Sequence, residues 1–180
     1  VELGEHRFMC RPRDSHDLRL VETGLTIDPP AHVRWVHDVF ANSVLVATFS
    51  TPADHLTFES TFVAELYPAD PDVELIEPHA TTLPFSYDMA EVPDLARLIE
   101  RHHPDPAHEI DAWVREVRRA AGTDETLPLL VAITRAIKTQ FAYEVREEEG
   151  TRAPVQTLHL KRGSCRDFAL FMMEAVRSVG

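Results

Sequence analysis

The sequence predicts an α+β chain in which an N-terminal antiparallel β-sandwich-like region is followed by a helical segment. Three observations carry this. Between residues 56 and 67 the chain alternates, with Leu56, Phe58, Ser60, Phe62, Ala64 and Leu66 on one side, which is the two-residue period of a strand with one buried face. Five prolines, Pro68, Pro71, Pro78, Pro84 and Pro93, then break all periodicity. Beyond them apolar residues recur at helical spacing.

The elements follow in order. Residues 25–29 read as extended chain, and residues 32–37 and 42–49 are β-branched or aromatic runs bounded by Pro, Asp and Asn. With the strand, or bent strand pair, at 56–67 they predict a small antiparallel sandwich or barrel. The β region is placed at 1–80, a Pro-rich linker at 81–93 within the proline-bearing stretch, and the helical segment at 94–180. In that segment Asp94 is expected to cap a short helix with Leu95, Leu98 and Ile99 on one face and Pro104 at its end. Ile110, Trp113, Val114, Val117 and Ala121 form a second apolar stripe with Gly122 just past it. Thr126 is the candidate cap of a third helix, with Pro128 in its first turn and Leu129, Leu130, Ile133, Ala136, Ile137 and Phe141 sharing a face. Residues 144–152 hold three consecutive glutamates and Gly150, and read as a mobile, solvated loop. A lesser reading sets that loop at a substrate cleft, where its charge selects basic partners.

The last stretch is the chemically informative one. Ser164 followed by Asp167 three residues later is a capping-box-like helix start, so Cys165 falls at about the first helical position. The free amides and positive end of a helix favour thiolate there. Phe168, Phe171, Met172, Ala175, Val176 and Val179 recur behind it at helical spacing, Arg177 suits the last turn, and Gly180 is a stop signal. On geometry alone a cysteine in this place reads equally as a small buried hydrophobe.

Composition narrows the alternatives. With 180 residues, 44% of them apolar, the chain can build one ordinary domain or two small ones around a real core. A net charge of −12 with no basic block argues against a nucleic-acid partner. The Arg118-Arg119 doublet reads as solvated surface. No stretch reaches the roughly 20 apolar residues that span a bilayer, no signal peptide is legible, and a cytoplasmic, membrane-free protein is expected. Cys10 and Cys165 give neither a disulfide framework nor a zinc spacing. A bridge between them stays open beside a free Cys10. The ten histidines form no ligand pattern with acids, so neither metal nor cofactor is expected.

Read together, Phe141-Ala-Tyr143, Gln156-Thr-Leu158 and the run Arg162-Gly-Ser-Cys-Arg-Asp-Phe-Ala169, with Arg177 and Gly180, resemble the bacterial transglutaminase-like superfamily. Residues 12–16, 25–29 and 38–42 resemble the β-rich region that precedes its catalytic core. Where the family turn reads Asp-x-x-Gly-Asn this chain has Ala41, and Asn42 is the residue expected to take the left-handed conformation instead. The resemblance implies a papain-like, transglutaminase-like core whose nucleophile is Cys165. Asp167, Arg166 and Tyr143 are possible supporting residues. Asp167 reads at least as well as a helix cap, and Tyr143 as a packing residue. The thiolate would attack a glutamine-like or peptide amide of a protein or peptide substrate, and the thioester would pass to an amine or to water.

The resemblance also implies a catalytic His and an Asp or Asn downstream of Gly180. Inside the chain only His159, six residues before Cys165, is a possible substitute base. The family's first strand, expected ahead of Val1, is missing as well. We therefore expect a piece of a longer protein, inactive as an isolated chain, with an unpaired edge or apolar groove in its β region. The competing reading is a non-catalytic interaction module of the same fold in which Cys165 is only a core residue.

Overall fold

The β-branched runs become strands in the computed structural model, which describes residues 1–67 and 76–180. The chain divides into two units, Val1–Val73 and Glu74–Gly180. In the first, β1 (His6–Phe8), β4 (Ser43–Thr48) and β3 (His32–His37) form a three-stranded antiparallel sheet in that order. Val44, Leu45, Val46 and Ala47 of the central strand are all buried. Since neighbouring strand residues point to opposite faces, both faces of β4 are covered. A second antiparallel pair joins β2 (Leu18–Asp28) and β5 (Thr57–Leu66), with an irregularity between Leu20 and Glu22. The two sheets meet where the Phe8 ring of β1 stacks on Phe58 of β5, centroids 4.0 Å apart, and where the Ser60 hydroxyl donates to the Cys10 carbonyl at 3.2 Å.

This is the sandwich-like form of the expected β region. The alternating face of β5 is covered only in part. Phe58, Ser60 and Ala64 are half-buried, whereas Phe62 and Leu66 are exposed. In a two-stranded ribbon, no neighbouring strand shields the far end of that face.

The turn at 38–42 also differs from its expectation. Asp38 accepts from the Phe40 amide at 2.9 Å and the Asn42 amide at 2.8 Å, and the Asn42 side chain donates to it at 2.8 Å. These bonds hold Asn42 in place. The left-handed residue is Ala41, with φ 59°.

In the second unit the stripes become helices α1 (Val92–Ile99), α2 (Glu109–Ala121), α3 (Thr126–Gln140), α4 (Pro154–Leu160) and α5 (Cys165–Arg177). A short parallel pair, β6 (Ala142–Tyr143) with β7 (Arg162–Gly163), joins the end of α3 to the start of α5. Ile110, Trp113, Val114 and Val117 of α2 pack with Leu129, Ile133 and Ile137 of α3 and with Phe171 and Ala175 of α5. Trp113, Phe141 and Phe171 form the aromatic centre, with Trp113 4.9 Å from Phe171 and 5.9 Å from Phe141. The indole N–H is satisfied by Gln140 at 2.8 Å. Gly122 closes α2 with φ 65°, the expected left-handed cap. Ala121, assigned to the α2 stripe, is exposed.

Three helix-start and linker expectations are corrected. Asp94 lies in the first turn of α1, which begins at Val92 with Pro93 behind it and ends at Ile99, ahead of Pro104. Thr126 is the first residue of α3 rather than its cap, and its hydroxyl donates to the Ala80 carbonyl while its amide donates to Thr81. The segment read as linker is tied down by these bonds. Leu83 is buried in the helical core and Phe85 packs against it. Residues 68–75, the first part of the proline-bearing stretch, lie outside the described residues. Among the described residues no helix is long and apolar enough to cross a membrane.

Candidate active site

Cys165 is the first residue of α5, and it is exposed. The apolar stripe behind it fixes the helix: Phe171 and Ala175 are fully buried, and Phe168, Met172, Val176 and Val179 pack around them. The capping box forms as the sequence predicts. Asp167 Oδ2 accepts from the Ser164 amide at 2.8 Å and from its hydroxyl at 3.0 Å. The residue immediately before the cysteine is thereby locked, and the sulfur stands at a fixed helix mouth.

Asp167 does more than cap. Its Oδ1 accepts from Arg146 Nη1 at 2.7 Å and from the Arg152 amide at 2.8 Å, so one fully buried carboxylate collects four donors. Burial alone would raise its pKa, but the Arg152 and Ser164 amides, the Arg146 guanidinium and the Ser164 hydroxyl outweigh it and hold the carboxyl well below the usual range. Gly163 completes the fit. A Cβ there would lie 2.9 Å from Asp167 Cβ and 3.3 Å from the Phe168 ring, so only glycine fits without displacing the carboxylate.

The stretch 144–152 was expected to be a mobile loop. It is instead pinned at several points. Glu144 donates its amide to the Gly163 carbonyl at 2.9 Å, and its carboxylate meets Arg152 and Arg162. Arg146, only 9% exposed at its side chain, joins Asp167 to Glu148. Glu144 and Glu148 are paired with arginines, while Glu147 and Glu149 remain exposed, so half of the acid content of this stretch is compensated. Arg146 and Arg152 are not marked by residue type, because two arginines among glutamates read as solvated charge. What marks them is burial, which no local pattern encodes.

The other expected site residues divide. Tyr143 is brought close by backbone pairing with Gly163, but its side chain is 64% exposed and not packed as expected. Arg166 is exposed. His159 is exposed, with Nε2 2.5 Å from Glu109 Oε2, so its ring is engaged with the start of α2. Cys10 and Cys165 are both free, which removes the bridge between them. Among the described residues Cys165 is exposed rather than packed in the helical core. Among the described residues no cluster of three or more His, Cys, Asp or Glu has the geometry of a metal site.

An antiparallel β unit, followed by a helical unit that presents an exposed cysteine at the first position of α5, defines an α+β fold. Comparison with known proteins gives the family. Residues 1–65 match the bacterial transglutaminase-like N-terminal region and residues 111–180 match the transglutaminase-like superfamily. The chain is therefore a transglutaminase-like superfamily protein, with that N-terminal region at residues 1–65 and that core at residues 111–180. A crystal structure of a candidate cysteine protease from Cytophaga hutchinsonii superimposes with a TM-score of 0.67 at 14% identity, over 99% of this chain. At that identity the likeness concerns the fold. The chain spans 60% of the length of that protein. No curated protein matches the sequence.

Proposed function

We propose that Cys165 is the nucleophile of an acyl-transfer enzyme acting on glutamine-like or peptide amides. The thiolate adds to the amide carbonyl carbon, the carbon–nitrogen bond of the tetrahedral adduct breaks, and the departing nitrogen takes up a proton as ammonia or an amine. The resulting thioester passes its acyl group to an amine, giving a new amide, or to water, giving a carboxylate. The base that takes the thiol proton and returns it to the leaving group is assigned to a His oriented by an Asp or Asn, supplied by sequence following Gly180 in the whole protein. Arg166, next to the cysteine in the chain, and Tyr143, exposed on the strand that pairs with Gly163, are assigned to the substrate side. The single observation carrying the reading is an exposed thiol at the first position of a helix whose cap is locked by a buried, fully bonded carboxylate. The α5 stripe packed in the helical core holds the sulfur at that helix mouth.

The test is alkylation by iodoacetamide at neutral pH, followed residue by residue by mass spectrometry. Cys165 should react severalfold faster in the native chain than in the urea-unfolded chain, while Cys10, the internal control, should slow on folding. A native Cys165 no faster than the unfolded thiol overturns the nucleophile assignment. In the whole protein, a glutamine-containing peptide should leave an acyl mass on Cys165, and Cys165→Ser should abolish it.

A further inference from the structure

The geometry points to the segment 144–152 as a docked lip of the Cys165 site, held shut by Asp167, with Arg146 as the positioning residue that keeps the lip and the helix mouth in register. The inference rests on the reading of Cys165 as nucleophile and adds a second layer to it. Asp167 uses its two oxygens for two different jobs. Oδ2 holds the amide and hydroxyl of Ser164, next to the cysteine, and Oδ1 holds Arg146 Nη1 and the Arg152 amide, at two points of the lip. Any movement of the lip therefore loads the same carboxylate that sets the cysteine's cap.

Two further anchors keep the lip at this place. The Glu144 amide bonds the Gly163 carbonyl, and Tyr143 pairs with Gly163, two residues before Cys165. Arg152 reaches Glu144 and the Arg162 carbonyl, closing the segment on itself. The charged groups around the helix mouth are thus Arg146, Arg152, Glu144 and Glu148 from the lip, Arg162 from β7, and Arg166 and Asp167 from α5 itself. Within this set Arg146 is the least exposed guanidinium and the only side-chain cation bonded to Asp167. Removing it leaves a buried carboxylate one donor short, whereas the lip's exposed glutamates, Glu147 and Glu149, carry no such burden.

A Glu-specific protease reads the lip, because its scissile positions, 147–149, lie there. In the native chain these bonds should resist cleavage, and the Arg152 amide should exchange with solvent as slowly as the hydrogen-bonded Glu144 amide. In Arg146→Gln, cleavage should rise at least about tenfold, the factor expected when one charge-assisted hydrogen bond is lost from a local opening equilibrium. Alkylation of Cys165 should slow in parallel, and Arg146→Lys should restore both. A merely structural arginine would lower thermal stability without coupling lip cleavage to Cys165 reactivity. If Cys165 is fast in the native chain and stays fast in Arg146→Gln while the lip opens, the coupling fails and the nucleophile reading stands. If Cys165 is slow even in the native chain, the nucleophile reading fails first. Should Arg146→Gln not fold, rapid exchange of the Arg152 amide in the native chain would by itself overturn the docked lip.

Discussion

At Ala41 an L-residue with a side chain occupies the left-handed region, φ 59°, because Asp38 and Asn42 clamp the turn on either side of it. That conformation brings Cβ against the following carbonyl and costs roughly 1–2 kcal/mol. Glycine escapes the clash at the expense of some unfolded-state entropy. Ala41→Gly is therefore expected to stabilise the β unit by about 1 kcal/mol, and Ala41→Val to destabilise it, as read from urea midpoints. Unchanged midpoints in both would show that the turn relaxes. Glu174 is the opposite kind of residue. Its carboxylate is fully buried and accepts from Arg101 at 3.0 Å, Arg177 at 2.8 Å and the His102 amide at 3.2 Å, fastening α5 to the α1–α2 connection. Glu174→Ala takes one partner from each of two guanidiniums, with Arg101 keeping Asp111 and Asp105 and Arg177 keeping the Leu98 carbonyl, and is expected to cost about 2–3 kcal/mol of stability. A loss below about 1 kcal/mol would mean that water replaces the carboxylate.

At the scale of elements, the start of α5 depends on a glycine that is not itself in the helix. Gly163→Ala places a methyl 2.9 Å from Asp167 Cβ. Because that contact is with the stem of a residue held by four bonds rather than with a flexible tip, relief requires the cap itself to shift. A loss of about 1–3 kcal/mol is expected, together with faster exchange of the Arg152 amide, both measurable by hydrogen exchange and urea unfolding. Stability and exchange equal to the native chain would show that Asp167 has slack. The same elements explain what could be read from residue order. The stripes of α2, α3 and α5 and the runs of β3 and β4 have a local period, and the capping box of α5 is local too. The first residue of α3 is not legible locally, because Thr126 bonds to Ala80, 46 residues away. The short α4 carries too few turns to display a stripe. The lip was missed because its anchor, Asp167, lies 15 residues beyond Arg152 and 21 beyond Arg146. The place of Cys165 at a helix start is legible because its cap and stripe lie within its own helix; the residues that hold the lip against that helix are visible only when the chain is folded.

For the molecule as a whole, pH brings two opposing effects into competition. The chain carries a net charge of −12, so acidification first relieves repulsion among surface carboxylates. That gain is small for exposed groups, screened over about 8 Å at physiological salt. Asp167 and Glu174 act the other way. For both, burial pushes the carboxyl up and is overcome: by the Arg152 and Ser164 amides, then Arg146, at Asp167, and by the His102 amide, Arg177 and Arg101 at Glu174. Both are thus held below their unfolded-state values of about 3.9 and 4.3. A depressed folded value means that the unfolded chain binds the proton first, so the stability they contribute is complete above about pH 5 and is lost as pH falls through the unfolded and then the folded values. Because these two groups collect seven donors between them in the core of the helical unit, their loss should dominate the surface gain. In a Trp35→Phe background, where Trp113 reports on the helical unit alone, the urea midpoint should fall steadily below about pH 5. Adding Asp167→Asn and Glu174→Gln should lower the midpoint at neutral pH and flatten its slope in acid. A midpoint that rises on acidification, or a slope unaltered by the two substitutions, would assign the acid response to surface charge instead.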